Sequence, residues 1–502
     1  MDLVLGIDVG TSAVKAAVFD REGVLHASAR ASYETRYPAP GQAEQDPHDW
    51  WDAIGRASRE IVGALGTQRD RISGIGIAAQ MCGCVAVDAK GEPLHPCLIW
   101  LDTRSAPIAK KIAGGALRIQ GYGVLRLLGW LKLANGAPNL DGRDTLSKLL
   151  WLRENVKGNI ARYLDVKDWL VHRCTGRFAT TPDIGQLTWL MDNRRRDWSE
   201  AYLDRFGLTR AVLPEIVEAS DVAGTLTEDA ATHLGLRAGL PVAGGVSDLN
   251  AAALATGDLT QGAYHLSLGT SAWCGAHSDG RKVSVTTNIA TICAAQRDRY
   301  LLVAPQENAG AAVRWAATSF GFGDEAALDA EAARATPGSA TPLFVPWLYG
   351  ERVPVAAREG CGTLAAASLR TTRADIAYSV LAGVAFNVRW AFESARRCVA
   401  ASGPEVGMVG GGARSAVWPQ IVADVLARPV RVVAAPEYAG ARGAAMTATV
   451  ACGLFGGLDE AATIARYARR VEPNAARRPW ADEAYARFVE CAKRARLSAP
   501  GI

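Results

Sequence analysis

The tetrapeptide Gly-Thr-Ser-Ala occurs twice in this chain, at residues 10–13 and again at residues 269–272. The first copy follows Leu3-Val4-Leu5-Gly6-Ile7-Asp8-Val9 and the second follows Tyr264-His265-Leu266-Ser267-Leu268, so each ends an apolar run rich in β-forming residues. Both read as tight turns between two strands. Glycine permits positive φ and close backbone approach, and the two hydroxyls that follow join a cluster of backbone N–H groups, which is the chemistry a phosphate chain requires. The copies lie 259 residues apart in a chain of 502. That spacing predicts a duplicated pair of half-molecules whose two turns face one nucleotide phosphate tail across a cleft.

Composition agrees with an ordinary globular protein. With 49% hydrophobic and 21% charged residues, the chain can bury a sizeable core, and its length suggests two large domains or three small ones. A net charge of +4 is mild, and the only compact basic run, Arg194-Arg195-Arg196, reads as a solvated loop, so no nucleic-acid partner is expected. The first residues lack a basic n-region, and no apolar run approaches about 18 residues, so neither a secretion signal nor a membrane span is expected and the cytoplasm is the predicted location. Ten cysteines without a CxxC pair read as reduced thiols, and seven dispersed histidines offer no metal-ligand spacing.

Along the chain, Val14 to Phe19 and Val24 to Ser32 predict two further strands after the first turn. Three antiparallel strands opening a domain exclude a dinucleotide-binding βαβ start, which passes from its first strand directly into a helix. Asp8, at the end of strand one, either holds Mg²⁺ through its waters beside the phosphates or is a buried structural carboxylate capping the turn. Asp46-Pro47-His48-Asp49 begins a helix whose Trp50, Ile54, Ala57, Ile61 and Leu65 share one face. Ile72 to Ala78 reads as a buried strand running into Gln80-Met81-Cys82-Gly83, a place where open α/β sheets keep ligand contacts. Cys84 to Val87 and Leu98 to Trp100 read as a hairpin. Beyond it, either Asp102 and Arg104 grip a set of polyol hydroxyls or Asp102 is only the N-cap of the next helix. Residues 110–133 read as basic and apolar helices.

Gly239 to Asp248 is a strand leaving through glycines onto an acid, and the domain boundary is predicted there, giving domains of 1–247 and 248–502. Pro305 to Gly310 precedes a helix holding Val313 and Trp315, whose N-terminus is a potential anion site. Gly350-Glu351-Arg352 reads as an internally charge-paired turn, and Arg373 to Arg397 as a long core helix. Gly410-Gly411-Gly412 after a short strand lets a flat ring or ribose lie on the backbone. The helix around Gly443 is expected to complete the second core, with a helical extension from about 454.

These segments together resemble the FGGY carbohydrate kinases, and within them the xylulokinase-like branch. The resemblance is carried by Gly6-Ile7-Asp8-Val9-Gly10-Thr11-Ser12 with Lys15, Ala43 to Pro47 with Trp50-Trp51, Gln80 to Gly83, Trp100 with Asp102 and Arg104, Asp168 to Gly176 and Asp248. It continues in Leu268 to Ser271, Gly350 to Arg352 with Pro354, and Gly410 to Ser415 with Trp418 and Gln420. It implies two actin-like, ribonuclease H-like α/β ATPase domains with a cleft between them. It further implies transfer of a phosphoryl group from ATP, with Mg²⁺, to a small-molecule sugar or polyol. By position it implies Asp248 as catalytic base and Asp8 as the magnesium-side carboxylate. Gly10, Thr11, Ser12, Lys15, Gly269 and Thr270 would cradle phosphates, Gly310, Gly411 and Gly412 would contact ADP, and Met81, Cys82, Asp102 and Arg104 would form the sugar side.

The first domain would then be the sugar and phosphate side and the second the nucleotide side. Two departures bear on the acceptor: Cys82 stands where xylulokinases usually carry His, and Leu249 where they usually carry Asn. Residues 179–188 also replace the usual Ser-Asp-Ala-Ser run with Thr181-Pro182-Asp183-Ile184-Gly185. The acceptor therefore stays open among ketopentoses and polyols, as does the oligomeric state, a homodimer included. Asp248 should be ionised at neutral pH without special perturbation.

Overall fold

The computed structural model describes residues 2–357 and 360–497. Residue 1, in the first expected domain, and residues 358–359 and 498–502, in the second, lie outside the described residues. By internal packing the chain divides into two units. One holds the chain up to residue 257 together with 292–300 and 440–465; the other holds 258–291, 301–439 and the residues from 466 on.

The first unit opens with the expected meander, β1 (Leu3–Val9), β2 (Ala13–Asp20) and β3 (Leu25–Ser32), all antiparallel. α1 (Pro47–Leu65) follows; the Asp46 carboxylate caps it by accepting the His48 amide at 3.0 Å, and its Trp50, Ile54, Ala57 and Ile61 are buried on the predicted face. β4 (Ile72–Ala79) then adds parallel to β1. α2 (Thr145–Asn155) and α3 (Val166–Thr175) precede β5 (Val222–Thr225), β6 (Pro241–Ala243) and β7 (Val246–Ser247), and α4 (Asp248–Ala255) closes the run. The sheet order is β5-β6-β4-β1-β2-β3, with β7 also pairing β4 in parallel.

The glycines of β1 and β4 explain what covers this sheet. Gly6 and Gly76 are register partners, and a Cβ on either would lie 1.8 Å from a carbonyl oxygen, that of Ala441 or Ala444. The helix Ala439–Ala451 therefore presses directly on the strands. It packs on the first unit's sheet and does not complete the second core as expected, and α4 joins the same layer, since a Cβ on Gly443 would lie 1.9 Å from the Ala251 carbonyl oxygen. The division expected at 248 thus differs from this packing, which keeps α4 and residues 440–465 with the first unit.

The second unit repeats the opening. β8 (Tyr264–Leu268) and β9 (Ala272–Ser278) are antiparallel across the second turn. α5 (Gly310–Ser319) and α6 (Arg373–Ala395) follow, and Thr372 and Asp375 form a capping box that starts α6. Val380, Val384, Val388 and Phe392 of α6 are buried in the core beside Leu266. β10 (Val406–Val409), α7 (Trp418–Leu426), β11 (Val430–Val433), β12 (Tyr467–Val471) and α8 (Arg478–Leu497) complete it. Within an eight-stranded sheet the order runs β9-β8-β10-β11-β12, with β8, β10 and β11 parallel. The tail from 454 is therefore not only helical, because β12 adds an antiparallel edge strand.

Three local expectations change. Residues 106–134 contain two helices separated by a short hairpin at 118–123. The expected 84–100 hairpin keeps only a bridge between Cys84 and Leu98; Val85–Val87 pairs instead with Arg162–Leu164, and Cys97–Leu98 with Glu44–Gln45. Arg196 is not solvated: its side chain is 9% exposed, pairs with Glu218 at 2.6 Å and donates to the carbonyls of Ala294, Gln296 and Arg299. No helix among the described residues is long and apolar enough to cross a membrane.

Candidate active site

In the first unit, three parallel strands end side by side. Asp8 of β1 is the register partner of Ala78 in β4, and Ser247 of β7 is that of Ala79, so Asp8 and Asp248 flank the strand end that runs into Gln80, Met81 and Cys82. Asp8 is buried, faces Lys15 across the β1–β2 pair, and lies so close to Gly440 that a Cβ there would sit 2.3 Å from its Oδ2. Burial pushes its carboxyl up, and the Lys15 charge opposes this.

Asp248 is the first residue of α4, capped by Ser247, and its Oδ1 accepts the Leu249 amide at 2.9 Å. Desolvation and the negative charge of Asp8 push it up to about 7, against the Leu249 bond, so the expectation of an unperturbed carboxylate is corrected. Asp183, from the segment that departs from the family pattern, fixes the start of α4: its Oδ2 accepts the Ser247 amide at 2.7 Å and the Asn250 side chain at 3.1 Å.

The first turn is held from behind. Tyr33 donates to the Gly10 carbonyl, Gln45 donates to the Thr11 carbonyl at 2.6 Å, and Trp100 donates to the Thr11 hydroxyl at 3.0 Å. The Gly10 amide closes the turn onto the Ala13 carbonyl at 3.1 Å, and the Thr11 hydroxyl, which accepts from Trp100, keeps its own proton to donate. Gly10 has no positive φ, and the nearest atom to a Cβ placed there is 3.6 Å away. The fold therefore does not itself need glycine here, which corrects the conformational reason given from sequence: a Cβ would sit in ordinary contact with the Ala13 carbonyl oxygen.

Met81 and Cys82 are both half-buried, and Cys82 adopts a left-handed φ of 62°. Asp102 and Arg104 are tied to each other. Asp102 is fully buried; it accepts the Ala43 amide at 2.8 Å and pairs with Arg104 Nη2 at 2.8 Å, while the same Nη2 reaches Glu44 at 2.7 Å. The Arg104 guanidinium also stacks over Trp151. The helix after them starts from Ser105, so the capping alternative for Asp102 is not the one adopted. Sequence reading missed Lys148, which is fully buried in α2. Its ammonium donates at 2.7 Å to the carbonyls of Cys82, Ile99 and Arg143. The only sequence signal was a lysine amid leucines in a helix with no polar face for it.

The second unit gathers its glycines at the ends of β8 and β10. The amides of Ala309 and Ala311 donate to the Thr270 carbonyl and that of Gly310 to the Gly269 carbonyl, at 2.9–3.2 Å, seating the start of α5 against the second turn. A Cβ on Gly310 would lie 2.6 Å from the Gly269 oxygen. Gly410, at φ +92°, leaves no room for a Cβ beside the Leu268 carbonyl, and Gly412 leaves none beside Trp418. Only Gly411 of the three faces open space; a Cβ on Gly269 would meet the Ser271 carbonyl oxygen at 3.6 Å, an ordinary contact. Glu351 is not paired with Arg352, which bridges to Glu307 at 2.5 Å. Glu351 instead accepts the Glu307 amide and the Asn387 side chain, and burial pushes it up to about 7.

Two family models match the chain: the N-terminal domain of the FGGY family of carbohydrate kinases over residues 3–255 and its C-terminal domain over residues 265–452. The chain is 30% identical to a xylulose kinase of Escherichia coli over 89% of its own length and 90% of that protein. It is 31% identical to one of Klebsiella pneumoniae over 89% and 90%. A crystal structure described as a xyloylose kinase from Brucella ovis superposes with a TM-score of 0.87 at 28% identity, covering 99% of this chain and all of that one.

Proposed function

Because this chain belongs to the FGGY family of carbohydrate kinases, we propose that it transfers the γ-phosphoryl of ATP to a hydroxyl of a ketopentose, xylulose first among them. The observation that carries the reading is the grouping of Asp8, Asp248 and the Met81–Cys82 loop at the ends of three adjoining parallel strands, beside the Gly10-Thr11-Ser12 turn. The sugar relatives' names support the acceptor class. The use of ATP supports a cytoplasmic setting.

In this reading Asp248 accepts the proton of the attacking hydroxyl as its oxygen bonds to the γ-phosphorus and the bond to the ADP oxygen breaks. Leu249 and Ser247 orient that carboxylate, Asp183 fixes their backbone, and Met81 and Cys82 line the acceptor. The Asp102–Arg104 pair braces the acceptor side by holding Ala43 and Glu44. Positioning and charge neutralisation supply most of the acceleration in such transfers.

The residues fit Mg²⁺. Asp8 is a buried carboxylate whose charge is disfavoured where it sits, and one or two carboxylates together with substrate phosphates are this ion's usual partners. Among the described residues no group of three or more His, Cys, Asp or Glu could hold a metal alone, so the ion would arrive with the nucleotide. When bound it neutralises phosphate charge.

Cys82 and Leu249, less polar than the family's usual residues, favour a second reading in which the acceptor is another ketose or a polyol with fewer hydroxyls to satisfy. Coupled ADP release measured across ketopentoses, ketohexoses and polyols tests both. The highest kcat/KM with xylulose is expected; a polyol ahead of every ketose selects the second reading, and ATP hydrolysis indifferent to any sugar removes both.

A further inference from the structure

We propose that Lys148 is a positioning residue for the acceptor side, setting acceptor affinity through the backbone without touching the sugar. The proposal rests on the reading of Met81 and Cys82 as acceptor contacts. Three observations carry it. Lys148 is fully buried, and no carboxylate lies within ion-pair distance of it among the described residues. All three of its N–H groups are taken, each at 2.7 Å, by backbone carbonyls from three separate segments. Those carbonyls belong to Cys82, to Ile99 and to Arg143, so one ammonium ties the strand-end loop to the segment that carries Trp100 and Asp102.

The consequence follows from what each segment holds. Cys82 sits in left-handed backbone, which a non-glycine residue keeps only where the surroundings fix it, and the bond to its carbonyl does so. Ile99 precedes Trp100, whose indole donates to Thr11 in the first turn. Lys148 thereby sets the distance between the acceptor loop and the phosphate turn. A lysine suits this point better than arginine, because three carbonyls converging on one nitrogen need a compact donor and a planar fork cannot serve them all. A buried lysine hydrogen-bonded to three carbonyls, with the charges of Asp144 and Asp102 acting on it through space, is a demanding arrangement for a packing role that a leucine would fill.

Steady-state kinetics of Lys148→Met, with Leu149→Ala as a control, test this. Leu149 is a fully buried core residue of the same helix. Lys148→Met should raise the acceptor KM about tenfold while the ATP KM stays within about twofold, the pattern of a misplaced binding loop. Leu149→Ala should lower thermal stability and leave the acceptor KM unchanged. Lys148→Arg, which keeps the charge, should shift the acceptor KM in the same direction by about threefold and carries the test if the Met variant does not fold. Met81→Ala separates the two layers of the argument. If it raises the acceptor KM while neither Lys148 variant does, the positioning role falls and the acceptor site stands; if none of the three moves it, the acceptor reading falls as well. Equal acceptor KM shifts in Lys148→Met and Leu149→Ala would reduce Lys148 to packing and overturn the proposal.

Discussion

The two Gly-Thr-Ser turns share letters and backbone but not surroundings. Each joins two antiparallel strands, the first of which has a parallel neighbour on its other side. Two residues before the glycine, the first copy has Asp8 and the second Ser267; five residues after it, the first has Lys15 and the second Cys274. The first turn is pinned by the side chains of Tyr33, Gln45 and Trp100, the second by the backbone amides at the start of α5. The two turns thus share their strand pairing, and the charged side chains stand at one copy only. In the proposed reaction the charged copy would serve proton and phosphoryl movement, and the neutral copy would only hold the nucleotide.

The largest test of that asymmetry replaces the residues two before each glycine. Asp8→Asn should lower kcat by about 10²–10³, the scale for losing one preorganised electrostatic group, and Ser267→Ala should change it by less than about threefold. Similar losses in both would break the comparison.

The pH profile sharpens it next. Asp248 is raised to about 7 in the free protein and must be ionised to accept a proton. kcat/KM for the acceptor should therefore be full above pH 7 and fall about tenfold per unit below it. Asp248→Asn should flatten that limb; a limb that survives the substitution belongs to another group.

The glycines separate positions that tolerate a Cβ from positions the chain needs bare. Gly10→Ala and Gly269→Ala meet nothing closer than 3.6 Å and should fold with unchanged melting temperature while raising the ATP KM about tenfold. Gly310→Ala meets the Gly269 oxygen at 2.6 Å and should instead lose about 1–3 kcal/mol of stability by denaturant titration. The smallest effect is expected for Trp100→Phe, which removes one hydrogen bond to Thr11, worth about 0.5–1.5 kcal/mol, and should raise the ATP KM a few-fold.

Local rules made much of this legible. The strands around both turns, the Asp46-Pro47 helix start and the glycine-spaced β4 follow from capping, periodicity and close packing, which act within a few residues. What stayed hidden depends on partners far away in the chain. Nothing near Gly443 signals that its helix covers Gly6 and Gly76, and a run of three arginines looks solvated until three carbonyls around residues 294–299 surround Arg196. The pairing of Asp102 with Arg104 and its bond to the Ala43 amide are likewise tertiary facts that no local rule shows. The shift of Asp248 could not be foreseen because Asp8, which contributes to it, arrives from 240 residues earlier. Lys148 stayed unseen because hydrophobic patterning gives no reason for a buried cation.

The central claim is that the chain moves a phosphoryl group to a sugar with Asp248 taking the proton. ADP release by wild type and by Asp248→Asn, with and without a ketopentose, alongside the ADP dissociation constant of each, tests it most directly. The account predicts sugar-dependent release by wild type, a loss of about 10²–10⁴ in the variant, and the same ADP affinity in both. Release that ignores the sugar, or an Asn variant with near-normal turnover, would contradict it.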